Sequence, residues 1–344
     1  MKLRIKSKRN MFKKTSLLLI VSVLSFVIVS CTTSGKKKDD MKQGNRIPLI
    51  LDTDANNELD DQHAIAYMLF NQDYFDVRGI TVNETYNGGS IEKHLEEAQR
   101  VVDLCGYNGQ VSVIPGASGN YRDILPSLNN PGFDGQEAVD FIIEEARNTS
   151  DGKLVLVPIG KLTNIALALA KAPDISEKVK VVWLGSNWPE KGEYNLENDT
   201  SSLTPLLENP DLEFEILTVR YGKPSGTWAV NLSVDEVREK MKGLGPEVDP
   251  VAGRYGGTFS CFGDYSVELY EKSGDDRRAL YDVCTLILLK YPGYAEKVPV
   301  KGPGFDGTDW NRSGNPDRVV YMWENFKKDK IINEFYNTME KPDQ

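Results

Sequence analysis

The chain has 344 residues, 40% hydrophobic and 27% charged, enough to bury a large core, and its 41 basic and 51 acidic side chains give a net charge of −10. Residues 1–30 hold seven basic and no acidic side chains, so their removal leaves 34 against 51, a net −17. An acidic protein of that kind repels phosphate backbones, which excludes general nucleic-acid binding.

Residues 1–14 are strongly basic and residues 16–29 almost purely apolar. The apolar run is too short for a comfortable membrane span, and its basic flank and small-residue exit fit an export signal. An uncleaved anchor helix is the alternative. Ile28-Val29-Ser30-Cys31 resembles a bacterial lipobox, whose cysteine is acylated and becomes the new N-terminus. That resemblance implies an exported lipoprotein held at a membrane through Cys31, and Thr32 in place of an aspartate leans toward the outer membrane. The polar, Lys-rich residues 32–46 suit a flexible tether. Cys105, Cys261 and Cys284 are too widely spaced for a disulfide framework or a zinc site.

Residues 47–344 read as one domain, with short apolar runs alternating with amphipathic stretches. This is the mark of an α/β fold with a mainly parallel, Rossmann-like central sheet flanked by helices. In chain order the pattern predicts a strand over 47–51, a helix over 59–70 and a strand over 76–82. A helix over 91–104 opened by Ser90, a strand over 111–114 and a helix over 136–147 follow. The next elements are a strand over 154–159, a helix over 162–171, strands over 179–184 and 213–219, and a helix over 278–290 stopped before Pro292. The tail from Gly304 to Pro316 reads as Gly, Asp and Asn turns with no role assigned. Strand C-termini in such folds share one edge, where ligands bind. Loops rich in carboxylates and amides follow four of these strands, the layout expected of a metal and polyol site.

The sharpest signal is Asp52-Thr53-Asp54-Ala55-Asn56-Asn57-Glu58-Leu59-Asp60-Asp61, with five carboxylates in ten residues. Like charges so close need solvent, shifted pKa values or a cation to offset them. Oxygen-only ligands favour calcium or magnesium over zinc. A solvated acidic loop capping the next helix is the plain alternative. An EF-hand starting at Asp52 would need glycine at the sixth position and an acid at the twelfth, where Asn57 and His63 stand. A haloacid-dehalogenase-type phosphatase would want Thr or Val where Asn56 stands.

Five segments, in order across residues 47–290, resemble the inosine/uridine-preferring nucleoside hydrolase family. They are Leu51-Asp52-Thr53-Asp54 with Asp60-Asp61; Gly79-Ile80-Thr81-Val82 with Asn87; and Gly160-Lys161-Leu162-Thr163-Asn164-Ile165-Ala166. Asn187 with Glu193-Tyr194-Asn195 and Tyr281-Asp282 complete the set. The resemblance implies calcium-dependent hydrolysis of the N-glycosidic bond of a ribonucleoside or related riboside. It implies a calcium ion held by Asp54, Asp61, the Thr163 backbone carbonyl and Asp282, with Asp54 as the base. Asp60, Asn87, Asn187, Glu193 and Asn195 would bind the sugar, and relatives that form dimers or tetramers extend the expectation to a homo-oligomer.

The chain departs from that family in three places. Asp60 lies six positions after Asp54 where the usual spacing is four, so the intervening loop must bulge. Tyr281 replaces the family's general-acid histidine, and His63 and His94, both inside predicted helices, read as structural. The side facing the leaving group does not align, although residues 221–228 and 255–265 are rich in aromatics. These departures keep two alternatives open: a calcium-dependent surface lipoprotein that binds a nucleoside or sugar without turning it over, and a hydrolase of another ribosyl linkage.

Overall fold

Eight apolar runs become the strands of one sheet in the computed structural model, which describes residues 46–341. They are β1 (Ile47–Thr53), β2 (Phe75–Val82), β3 (Val113–Pro115), β4 (Leu154–Pro158), β5 (Val179–Leu184), β6 (Glu213–Leu217), β7 (Glu296–Lys301) and β8 (Val319–Glu324). Their order across the sheet is β7-β8-β6-β5-β4-β1-β2-β3. All neighbours are parallel except the edge pair β7 and β8. Signal, lipidation and tether expectations, including Cys31, lie outside the described residues. Within those residues, no helix is long and apolar enough to cross a membrane.

The strands read as continuous apolar runs because both faces of the sheet are covered. Side chains alternate between two cores, as the period of a strand requires. Leu49 and Leu51 face one core with Val155 and Val157, while Ile50 faces the other with Leu154, Leu156, Val181 and Trp183. Helices α1 (Asp60–Leu69) and α2 (Ile91–Leu104) close the first core; α3 (Gln136–Asn148) and α4 (Thr163–Lys171) close the second. Each fully buried Leu or Ile here stabilises the fold by roughly 1.5–3 kcal/mol.

Chain order reverses at β1. The chain runs outward through β2 and β3, then returns to place β4 on the other side of β1. Loops after β1 and β4 therefore diverge and leave a crevice at their C-terminal ends, the usual ligand position in open α/β sheets.

One sequence expectation is corrected, and one strand was missed. The predicted helix over 278–290 is helical only over Val283–Lys290 (α7), because Arg277–Ala279 instead pairs antiparallel with Asn231–Ser233. The bend between strand and helix carries Tyr281 and Asp282 toward the crevice. Strand β8 was hidden among the turns of the C-terminal third; it inserts beside β6 and recruits β7 as the edge. Helices α5 (Tyr194–Asn198), α6 (Phe262–Lys272) and α8 (Lys328–Met339) complete the elements that matter below.

Candidate functional site

The crevice holds a cavity of about 160 Å³ at the C-terminal ends of β1, β4 and β5. Its acidic lining is Asp54, Glu58, Asp60, Asp61, Glu193 and Asp282; Asn57, Tyr194, Asn195, Tyr221 and Tyr281 supply the other polar groups. Ile159, Leu184 and Val219 are the apolar remainder, and among the described residues no Lys, Arg or His lines it.

The floor is set by the last turns of β1. Asp52 is fully buried and lies beneath the cavity, where it accepts hydrogen bonds from Thr81 Oγ1 (2.6 Å), Asn83 Nδ2 (3.0 Å) and Asn164 Nδ2 (2.7 Å). One carboxylate thus ties together β1, β2 and the start of α4. Asp54, two residues on, accepts from Thr85 Oγ1 at 2.7 Å. Gly160 passes so close that a Cβ there would lie 2.9 Å from both Asp54 Oδ1 and Asn83 Oδ1. Any side chain at 160 would fill the floor. Asn83 Oδ1 is buried with no hydrogen-bond partner, an acceptor left beside Asp54.

Side-chain hydrogen bonds hold the loop from Asp54 to Asp60. Gln62 Nε2 donates to the Ala55 carbonyl (2.8 Å) and to Glu97 (2.9 Å), while Asn56 Nδ2 donates to the Gly88 carbonyl (2.5 Å). The Asn56 N–H donates to His94 Nδ1 at 3.2 Å. Beyond the bulge α1 starts with Asp60 and Asp61, and Thr53 Oγ1 donates to Asp61. Oxygens of Asp60, Asp61 and Asp282 lie within 4.8 Å of one another, all three buried, and Asp60 is hydrogen-bonded to Asp282. Asp54 stands next to this trio and acts on the charge of both Asp61 and Asp282.

These carboxylates pay electrostatically for their positions. Burial pushes Asp52 and Asp60 up to about 7, and raises Asp54, Asp61 and Asp282, with the neighbouring carboxylates adding to the rise for the last two. Buried like charges with oxygen-only donors, an orphan amide oxygen and a glycine-cleared floor fit a hard divalent cation. Thr163, at the first position of α4, donates its hydroxyl proton to Asp199 (2.6 Å) and does not line the cavity.

The other flank follows β5. Glu193 takes a backbone φ of 144°, rare outside glycine, and accepts from the N–H groups of Ser186, Asn195 and Leu196 at 2.8–3.0 Å, capping α5. Burial still pushes it up to about 7. Asn195 Nδ2 donates to the Ile159 and Leu184 carbonyls, so its Oδ1 is the atom left for a ligand. Like Thr163, two further residues expected at the site do not line the cavity. Asn87 is exposed, its N–H donating to Tyr194 Oη, and half-buried Asn187 accepts from the Tyr221 N–H. Asn83, the residue directly after β2, turns inward to Asp52 and leaves its Oδ1 beside Gly160.

The mouth is aromatic. Tyr221 and Tyr281 meet edge-to-face with ring centroids 6.2 Å apart. Burial raises both phenols above their ordinary value, and nearby carboxylates (Asp60 and Glu58 at Tyr281, Glu193 at Tyr221) add to it. Glu58 reaches the rim from the bulge and pairs with Arg278, whose other bond is to Asp275. Neither histidine reaches the cavity. His63 is buried between the Leu59 carbonyl (2.6 Å from Nδ1) and Ser266 Oγ (2.7 Å from Nε2), and burial lowers it to about 4. His94 is buried against the bulge, and its Nε2 has no hydrogen-bond partner. The three described cysteines are free and buried.

The family model for the inosine-uridine preferring nucleoside hydrolases matches residues 49–330. The inosine-uridine preferring nucleoside hydrolase of Leishmania major is 25% identical over 276 residues, covering 73% of this chain and 82% of that protein. An uncharacterised Schizosaccharomyces pombe protein is 36% identical over 103 residues, a stretch of 28% of this chain and only 33% of that protein's length. A solved nucleoside hydrolase from Bacillus anthracis superposes with a TM-score of 0.62 at 19% identity, covering 86% of this chain and 99% of that one. With residues 49–330 matched, well over half of its length, the chain belongs to the inosine-uridine preferring nucleoside hydrolase family.

Proposed function

We propose that this cavity hydrolyses the N-glycosidic bond of a ribonucleoside or related riboside in a calcium-dependent reaction. The observation that carries the reading is the buried Asp60–Asp61–Asp282 cluster beside Asp54, at the switch point of a nucleoside hydrolase sheet. Asp54, Asp61, Asp282 and the Thr163 carbonyl would hold the ion, with Asp60 turned to the ribose hydroxyls. Calcium bound there would offset the carboxylate charge, orient the sugar hydroxyls and acidify a water.

The chain's own groups supply the rest. Asp54, pinned by Thr85, is placed to accept a proton from the attacking water. That water's oxygen adds to the anomeric carbon as the C–N bond breaks, and the bonding electrons leave with the base. Positive charge grows on the ribose ring in such a transition state. Glu193, held by three backbone N–H groups, and the Oδ1 atom of Asn195 present oxygen to it without needing to reorganise. Tyr281 stands at the leaving-group side as a hydroxyl donor.

Hydrolysis of p-nitrophenyl riboside tests this. Release in calcium, lost on chelation and lost in a folded Asp54→Ala variant, supports the hydrolytic centre. A folded, calcium-loaded protein that releases nothing would favour the second reading, a non-catalytic nucleoside-binding protein. The observation on its side is that no histidine lines the cavity. Acylation of Cys31 and membrane attachment remain part of the proposal, on the lipobox-like residues 28–31.

A further inference from the structure

A neutral purine or pyrimidine leaves ribose as an anion unless an acid protonates it. This cavity offers poor means to do so. Both histidines are committed elsewhere: His63 between Leu59 and Ser266, His94 behind the bulge against Asn56. The nearby guanidinium of Arg278 is already shared between Glu58 and Asp275, so that trio carries a net negative charge at the rim. The lining itself has six carboxyl groups and, among the described residues, no basic group. Facing the opening is the edge-to-face pair of Tyr221, 45% exposed, and Tyr281. Aromatic faces beside a rim of net negative charge, two carboxylates sharing one guanidinium, form a receptor for a flat organic cation.

From this juxtaposition we infer that the substrate class of the site is an N-ribosyl pyridinium, a riboside whose leaving ring already carries the positive charge. The inference rests on the hydrolytic reading above and specifies its substrate. The reaction balances without an acid. Water's oxygen bonds to the anomeric carbon, the C–N electron pair returns to the ring nitrogen, and the water's proton passes to Asp54. The products are ribose, a neutral pyridine and one proton released to solvent. Glu58 and Tyr221 select the cation at the rim, where a neutral base gains less from either.

The test compares kcat/KM for four ribosides with the full chain in calcium: the cationic riboside of pyridine-3-carboxamide, uridine, inosine, and p-nitrophenyl riboside. The expected result is a preference of about 100-fold for the cationic riboside over uridine and inosine. Glu58→Gln is expected to raise KM for the cation and reduce its advantage over p-nitrophenyl riboside about tenfold, with Glu58→Asp restoring most of it. Glu58 lies on an exposed turn, and an unchanged Tm verifies that the variant folds. A preference below tenfold over uridine or inosine, or an advantage untouched by Glu58→Gln, overturns the inference while p-nitrophenyl riboside turnover leaves the hydrolytic reading standing. If none of the four is cleaved by folded, calcium-loaded protein, the hydrolytic reading itself falls.

Discussion

The floor of the cavity and its rim are built by opposite means. On the floor every carboxylate is buried and most are pinned: Asp52 by three side chains, Asp54 by Thr85, Asp61 by Thr53 and Glu193 by three backbone N–H groups. At the rim, Glu58, Tyr221 and Arg278 are partly exposed and sit on turns and short strands. A floor so cross-tied tolerates little change, because one lost carboxylate strands several buried partners. The rim is free to be rewritten, and that is where this chain departs from its family, with Tyr281 for histidine and a bulge that brings in Glu58.

The largest effect expected from breaking the contrast is on the floor. Asp61→Asn is predicted to lower kcat/KM on p-nitrophenyl riboside by about 10³-fold and to abolish the rise in Tm on adding calcium. Wild-type turnover in that variant would remove the floor from the account. Asp52→Asn probes the tie beneath the cavity. Asp52 lines no part of the cavity, yet its loss frees Asn83 and Asn164, so calcium affinity measured by calorimetry is predicted to weaken about 10–100-fold.

The pH dependence of stability sharpens the same contrast. Burial raises Asp52, Asp60 and Glu193 to about 7, against about 4 in an unfolded chain. The folded state therefore binds more protons than the unfolded between pH 4 and 7, and these groups lose stability as pH rises through that window. His63, lowered to about 4 by burial, works the other way between pH 4 and 6.5, but it is one group against three. Metal-free protein is thus predicted to melt at a lower temperature at pH 8 than at pH 5, with calcium raising Tm more at pH 8. A metal-free Tm that climbs over that range would contradict the electrostatic account.

The smallest effect belongs to the rim. Burial and neighbouring carboxylates hold the Tyr281 phenol protonated, which makes it a hydrogen-bond donor that does not readily surrender its proton. Tyr281→Phe is predicted to cost less than about tenfold in kcat/KM on p-nitrophenyl riboside. A loss of 10³-fold or more would make Tyr281 the acid that replaces histidine.

The floor was largely legible in the sequence, because strand periodicity located β1, β4 and β5 and the polar loops that carry the site's carboxylates and amides follow them. The bulge was legible too, from the two extra residues between Asp54 and Asp60. Asn83 was passed over for Asn87 because both follow the same strand, and only the close approach of Gly160 and Asp52 shows which one turns inward. The Arg277–Ala279 strand was missed because its partner, Asn231–Ser233, lies more than forty residues away and leaves no local periodicity. The same holds for β8, whose place beside β6 depends on non-local pairing after a turn-rich segment.

The central claim is tested most directly by following calcium binding and ribose release in one sample, titrating metal into chelator-stripped protein with a riboside present. The account predicts that release of free ribose rises with the same Kd as the calorimetric binding curve and stops on chelation. Ribose release indifferent to chelation, or calcium saturation without release from any riboside, would contradict it.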